Sequence, residues 1–340
     1  MAKSLFDKTY IGKMKLKNRI FMSPMGTTGE ADGAYCNEGI DYFEERAKGG
    51  AGLIITGANV VSTKYEPRPC TELSDFHHVE RLNMLIERCH AYGAKVCVQL
   101  SPGLGRQQFT DPFTPPYSAG SVGAFWFLDL ICKPFSKEDI HYLVEKVGYS
   151  ASLAVNAGAD CVELHAYGGY LLDQFHSVQW NNRTDEYGGD IHGRLRLTLE
   201  VIEEVRKQCG RDFIIDVRIS GDEYSDGGLT LNDMIYVSKQ LEKATVDFIH
   251  VSGGNTIKKG SSMPASGTAP APHKHASEEI KKHVSIPVAT VSRINEPWVG
   301  DELIANGVCD ACMIGRPNLC DSEFANKAKA GKTDEIRPCI

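Results

Sequence analysis

Five polar residues stand at the ends of separate apolar runs: Gln99 in KVCVQLS, His165 in CVELHAY, Arg218 in FIIDVRIS, Ser252 in FIHVSGG and Arg293 in PVATVSR. An apolar run of this kind suits a strand buried on both faces. If it ends on a hydrogen-bonding side chain, the strand can deliver that group to a site. One such residue would read as a satisfied core group, but five from five strands predict a convergent site. Two segments add a phosphate signal: VSRIN carries Ser292 and Arg293, and MIGRP carries Gly315 and Arg316. Small residues let backbone amides approach an anion, and each guanidinium offers forked donors. The bland alternative is that both arginines pair with surface carboxylates.

Other patterns exclude chemistry. No G-x-G-x-x-G follows the first apolar run, which argues against a dinucleotide-binding Rossmann unit. H-E-x-x-H is absent. His77 and His78 are adjacent, not at ligand spacing, and read as an exposed helix start. His273 and His275 fall in a loop and make a weak metal candidate. The eleven cysteines, Cys70 among them, are scattered, mostly inside apolar runs. There a free thiol behaves as a small buried hydrophobe, and the pattern suits a reducing cytosol rather than a disulfide framework. Cys309 and Cys312 form a C-x-x-C, but Cys312 lies in a predicted buried strand, which favours core over metal.

The elements that must carry these groups alternate regularly. Eight short apolar runs occur: 19–25, 53–61, 95–101, 161–167, 213–220, 248–254, 287–293 and 311–317. Amphipathic stretches follow at 38–48, 77–92, 136–157, 193–208, 230–243, 277–283, 297–306 and 322–330. Gly93, Gly158, Gly210, Gly307 and Gly331 stand where helices commonly terminate. Strand-then-helix repeated eight times predicts an α/β fold of the (β/α)8 TIM-barrel class over residues 1–340; an open doubly wound sheet is the alternative. In a barrel, the loops after strands seven and eight bind phosphate, which places Ser292, Arg293, Gly315 and Arg316. Ile11–Leu16 reads as a hairpin before strand one. Two insertions, 104–135 and 255–275, follow strands three and six on the face where barrels hold their sites.

The 340 residues suit one such barrel with insertions. A 42% hydrophobic content supplies a large core. Mean hydropathy is -0.26, and no run approaches a membrane span. The first residues lack the apolar core of a secretory signal, so the expected location is cytoplasmic. A net charge of -7 argues against a nucleic-acid partner. A small-molecule substrate and a homo-oligomer are expected.

On these residues the chain resembles the Old Yellow Enzyme family, and within it the FMN barrel of the 2,4-dienoyl-CoA reductase and 2-enoate reductase group. The resemblance covers the whole chain. It rests on LKNRIFMSPMG (16–26), VQL (98–100), ELHAYGGYLLDQF (163–175), NNRTDEYGGD (181–190), VRIS (217–220), SRIN (292–295) and IGRP (314–317). It implies FMN as cofactor and NADH or NADPH as electron donor. Ser23, Pro24, Met25, Gly26 and Gly57 would line the flavin ring, with Gln99 and Arg218 bonding its pyrimidine edge. A fixed cation there favours the negative charge that reduction brings. His165 would anchor the substrate carbonyl, and Tyr170 would give the proton to the α-carbon once hydride has reached the β-carbon. The implied activity is ene-reduction of an α,β-unsaturated carbonyl compound such as an enoate, an enoyl or dienoyl thioester, or a cyclic enone.

Departures from the family pattern narrow this. Relatives commonly carry His or Asn three residues after the anchor; here it is Gly168, so one carbonyl donor is missing unless Tyr167 or the strand-six loop replaces it. The dienoyl-CoA reductases place a histidine in the strand-six loop, where this chain has Lys258 and Lys259. The sequence ends DEIRPCI. By resemblance, Cys339 is the first ligand of an iron–sulfur cluster whose segment starts at 337–340, with an FAD domain beyond if the natural chain extends further. Two rival readings are a flavin-dependent amine dehydrogenase or demethylase, with Phe125, Trp126 and Phe127 as an aromatic cage, and a non-flavin lyase or isomerase acting on a phosphorylated metabolite. No strand-end lysine suits a Schiff base, which weakens the last.

Overall fold

The structure is a computed structural model that describes residues 3–66, 71–109, 112–257, 261–265 and 267–339. Cys70, Lys258 and Lys259 lie outside the described residues.

Eight parallel strands close into a barrel: β1 (Ile20–Met25), β2 (Leu53–Thr56), β3 (Lys95–Ser101), β4 (Cys161–Ala166), β5 (Ile214–Ser220), β6 (Phe248–Ser252), β7 (Val288–Val291) and β8 (Ala311–Ile314). Each pairs with its sequence neighbour; β8 pairs with β1, so the sheet has no free barrel edge. Outside it run α1 (Asn37–Lys48), α2 (His78–His90), α3 (Lys137–Asn156), α4 (Ile191–Cys209), α5 (Leu231–Lys243), α6 (Lys274–Lys281), α7 (Pro297–Ala305) and α8 (Phe324–Lys329). This is the expected (β/α)8 TIM barrel.

Local chemistry accounts for the boundaries. Ser136 and Thr230 open α3 and α5 with reciprocal capping boxes to Asp139 and Asp233. The five predicted terminator glycines all have positive φ, between 69° and 88°. β7 and β8 are shorter than their apolar runs. Ser292 and Arg293, with φ of 93° and 48°, turn the chain out of β7 straight after Val291. The β1–β2 ladder slips between Met22 and Met25, where Pro24 has no N–H to contribute. An N-terminal hairpin, Thr9–Ile11 with Met14–Leu16, buries Ile11, Met14 and Leu16 against the strand starts Leu53, Cys161, Ile214, Phe248 and Ala311. It therefore plugs the bottom of the barrel and leaves the other mouth for a site.

Ten cysteines are free among the described residues. Cys309 and Cys312 are both buried with sulfurs 4.0 Å apart, as core residues. His77 is exposed at the start of α2, but His78 is buried, its Nε2 2.9 Å from the Asp32 carbonyl, so the doublet is not wholly surface. His273 is buried and immediately precedes α6, whereas His275 is exposed within that helix. The two therefore do not form a metal-binding pair in a loop.

Candidate active site

At the C-terminal mouth of the strands lies a cavity of about 470 Å³. Every residue proposed from the sequence for catalysis or cofactor binding lines it. β1 supplies Ser23, Pro24 and Met25, followed by Gly26. Gly57 follows β2, Gln99 comes from β3, His165 from β4, and Arg218 from β5. Tyr170 follows β4 on a tight turn. Ser292, Arg293, Gly315 and Arg316 contribute from beyond β7 and β8. Cys339 is not among the lining residues. It lies half-buried beside Cys320, whose thiol pKa is raised by burial and by the neighbouring free thiol of Cys339.

The front of the cavity is held by hydrogen bonds that fix Tyr170. Gly168 and Gly169 have φ of 74° and 78°. A Cβ on Gly169 would sit 2.9 Å from Gln107 Nε2 and 3.1 Å from the Trp180 ring, so both space and φ require glycine there. The Gly169 N–H donates to Asp173 (2.7 Å), Gln174 Nε2 donates to the Gly169 carbonyl (2.6 Å), and Gln107 Nε2 donates to the Gly168 carbonyl (2.9 Å). The NNRTDEYGGD segment is a brace for the strand-three insertion: Arg183 donates to the Phe135 carbonyl (2.7 Å) and the Ala119 carbonyl (3.2 Å) while paired with Asp185.

The His165 and Tyr170 rings lie 4.6 Å apart. Burial and the neighbouring Arg218 charge push the His165 pKa down to about 3, so the imidazole is neutral near pH 7. Its Nδ1 is buried without a partner among the described residues. The Arg218 guanidinium stacks on Tyr167 at 4.3 Å, and its Nε donates to Ser252 Oγ at 3.1 Å. Tyr167 spends its single donor on the Ser262 carbonyl (2.9 Å), so it does not replace the donor absent at Gly168. Arg293 and Arg316 donate to the carbonyls of Ala265 (2.8 Å) and Pro264 (3.2 Å), not to surface carboxylates.

Sequence reasoning missed several lining residues, notably His273, Met263 and Asn295. Burial lowers the His273 pKa to about 4, and its Nε2 has no partner among the described residues. Phe125, Trp126 and Phe127 are not in the lining; the exposed Trp126 packs edge-on against Phe109 and Phe125 and donates to the Gln107 carbonyl.

Comparison with known proteins places the fold and the motifs together. The sequence pattern of the NADH:flavin oxidoreductase / NADH oxidase family matches residues 4–335. The chain belongs to that family. It is 36% identical to the cinnamate reductase of Clostridium sporogenes, over 99% of this chain and 54% of the relative. It is 32% identical to the NADPH dehydrogenase of Bacillus subtilis, over 99% of this chain and 97% of the relative. A 2-naphthoyl-CoA reductase structure superposes with a TM-score of 0.91 at 23% identity, over all of this chain and 54% of that one; at this identity the likeness speaks for the fold. The chain spans about half the length of several of the curated relatives it matches. Among the described residues no helix is long and apolar enough to cross a membrane.

Proposed function

We propose that this barrel binds FMN at the mouth of its strands and reduces the carbon–carbon double bond of an α,β-unsaturated carbonyl compound with electrons from NADH or NADPH. The observation that carries the reading is the neutral His165 and Tyr170 packed together in a cavity that also gathers Gln99, Arg218 and the two phosphate-type loops.

The residues fit FMN. The cavity is within the usual range for cofactor sites. Gly26 has nothing within 4 Å of where a Cβ would stand, which leaves room for a flat ring. Ser23 Oγ, Arg293 Nε and Asn295 Oδ1 are buried without partners among the described residues, as groups awaiting a polar ligand are. Gln99 and Arg218 would meet the pyrimidine edge, and Ser292, Arg293, Gly315 and Arg316 the phosphate. FMN bound there supplies the two-electron chemistry.

The chain's own residues do the rest. A neutral His165 donates a hydrogen bond to the substrate carbonyl oxygen and withdraws charge from the alkene. Tyr170 delivers the proton from its hydroxyl to the α-carbon. His273 brings a second unpartnered ring nitrogen to the cavity, which supports it as the donor replacing the one absent at Gly168. The cinnamate reductase relative supports an unsaturated carboxylate as substrate class.

The rivals find less support. No Asp or Glu is among the described lining residues to pair with a substrate ammonium, and no described lining residue is a lysine for Schiff-base chemistry. Cys339 as a first iron–sulfur ligand follows from resemblance alone and is proposed on that basis. The test is turnover of the FMN-loaded chain with cinnamate, its thioester and a cyclic enone under anaerobic conditions. Saturated product from any of them is expected, and amine oxidation in their place would refute the reading.

A further inference from the structure

Beneath the cavity floor lies a group of polar side chains that the reaction itself does not use. Glu163 on β4, Asp216 on β5 and His250 on β6 are each no more than 1% exposed. They stand two residues before His165, Arg218 and Ser252, on the same side of their strands. In register, Glu163 faces Gln99 on one side and Asp216 on the other, and Arg218 faces His165 and His250. The cluster is therefore the layer directly under the site.

Its bonds have a direction. Gln99 Nε2 lies 2.5 Å from Glu163 Oε1, and His250 Nδ1 lies 2.7 Å from Oε2. An ionised carboxylate only accepts, so Glu163 forces the nitrogen of the Gln99 amide downward. The amide oxygen and the second N–H are then presented in one orientation and not its flip. His250 donates through Nδ1, which leaves Nε2 without a proton and without a partner among the described residues. Two adjacent buried carboxyls do not both ionise. Burial and the charge of Glu163 raise the Asp216 pKa well above its ordinary range, so Asp216 holds a proton. Burial alone would raise Glu163 as well, but the hydrogen bond from the His250 Nδ1–H and the Arg218 charge outweigh it and hold Glu163 ionised. The layer then contains one anion, Glu163, set beneath the Arg218 cation that lines the cavity.

The three ligand atoms of Glu163, Asp216 and His250 lie within 4.8 Å of one another, a spacing that also suits a metal ion. That reading is weaker, because both Glu163 oxygens are already bonded and the Arg218 cation stands two residues beyond Asp216 on the same side of its strand.

We infer that Glu163 is a positioning residue of the flavin site: it locks the Gln99 amide in one orientation and offsets the Arg218 charge, and so sets both the affinity for FMN and the reduction potential of the bound cofactor. This rests on the FMN reading above. Without Glu163's charge, Arg218 would favour the negative charge that two-electron reduction places on the flavin more strongly.

The experiment uses the full chain, with FMN as the probe, and two variants checked for folding by circular dichroism and thermal unfolding. Glu163→Gln keeps the shape and removes the charge. Its reduced-to-oxidised FMN affinity ratio should rise about tenfold or more, a positive shift of about 30 mV or more in the two-electron midpoint potential. Glu163→Asp keeps the charge but is one methylene shorter and cannot hold both Gln99 and His250. It should bind FMN at least about tenfold more weakly, with a potential nearer the parent's. A folded Glu163→Gln with the parent's potential, or a Glu163→Asp with the parent's FMN affinity, overturns the inference. A parent that takes up no FMN overturns the functional reading itself, which keeps the two failures apart.

Discussion

Replacing Tyr170 by Phe removes one hydroxyl from the cavity and keeps the ring. That ring packs 4.6 Å from His165, and Phe retains the contact. His165 does not take over as the acid. With its pKa at about 3, roughly one imidazole in ten thousand carries the extra proton at pH 7. On the proposed reading it keeps its hydrogen bond to the substrate, so substrate affinity should change little. The loss falls on proton delivery, where a positioned acid contributes about 10²–10⁴ in rate, or about 3–5 kcal/mol of barrier. The assay is anaerobic stopped-flow absorbance on FMN-loaded protein, with the two half-reactions followed separately. Reoxidation by the alkene should slow by that factor, while reduction by NADH or NADPH stays within about threefold of the parent. Equal slowing of both half-reactions would refute Tyr170 as the proton donor, and so would an unchanged alkene step.

Other expectations follow from the same geometry. Arg218→Ala removes the guanidinium stacked on Tyr167 and, on the proposed reading, its bonding to the cofactor edge; hydrogen bonds to charged groups are worth about 1.5–3 kcal/mol, so FMN titration should show binding about 10–150-fold weaker. Gly57→Ala would place a Cβ 2.5 Å from Gly26 Cα and 2.7 Å from the Met25 carbonyl; backbone must move, and thermal unfolding should report about 1–3 kcal/mol of lost stability with poor FMN loading. His176 is fully buried with its Nε2 2.7 Å from Thr198 Oγ1, and burial, with Arg194, holds its pKa at about 3. The unfolded chain takes up that proton below about pH 6.5 and the folded chain does not, so His176 costs stability as pH falls. Between pH 7 and pH 5, the stability of His176→Asn relative to the parent should therefore improve by about 2 kcal/mol in urea titrations; a gap that moves the other way contradicts the assignment.

Much of this was legible in the sequence because barrel strands are buried on both faces. β3 occupies the whole of its apolar run, and the strand-end groups Gln99, His165 and Arg218 do meet in one cavity. The trimmed end of β7 was hidden, because the left-handed turn at Ser292 and Arg293 is a tertiary choice that their residue types do not announce. Two short helices, Leu171–His176 and Arg316–Cys320, were missed since fewer than two turns carry no readable period. The layer of Glu163, Asp216 and His250 lies inside the strands, where acidic and histidine residues read as satisfied core groups. The available signal was the spacing of two to His165, Arg218 and Ser252, which puts each pair on one side of its strand. Trp126 shows the converse: aromatic content in an insertion says nothing about which way the loop turns its rings.

The most direct test of the account is the visible absorption spectrum of the purified chain, recorded before and after anaerobic addition of NADH and of NADPH. The account predicts the two bands of oxidised flavin, present on isolation or after FMN is added, and their bleaching by a nicotinamide nucleotide. A folded protein that shows no flavin and takes up none from added FMN would contradict it.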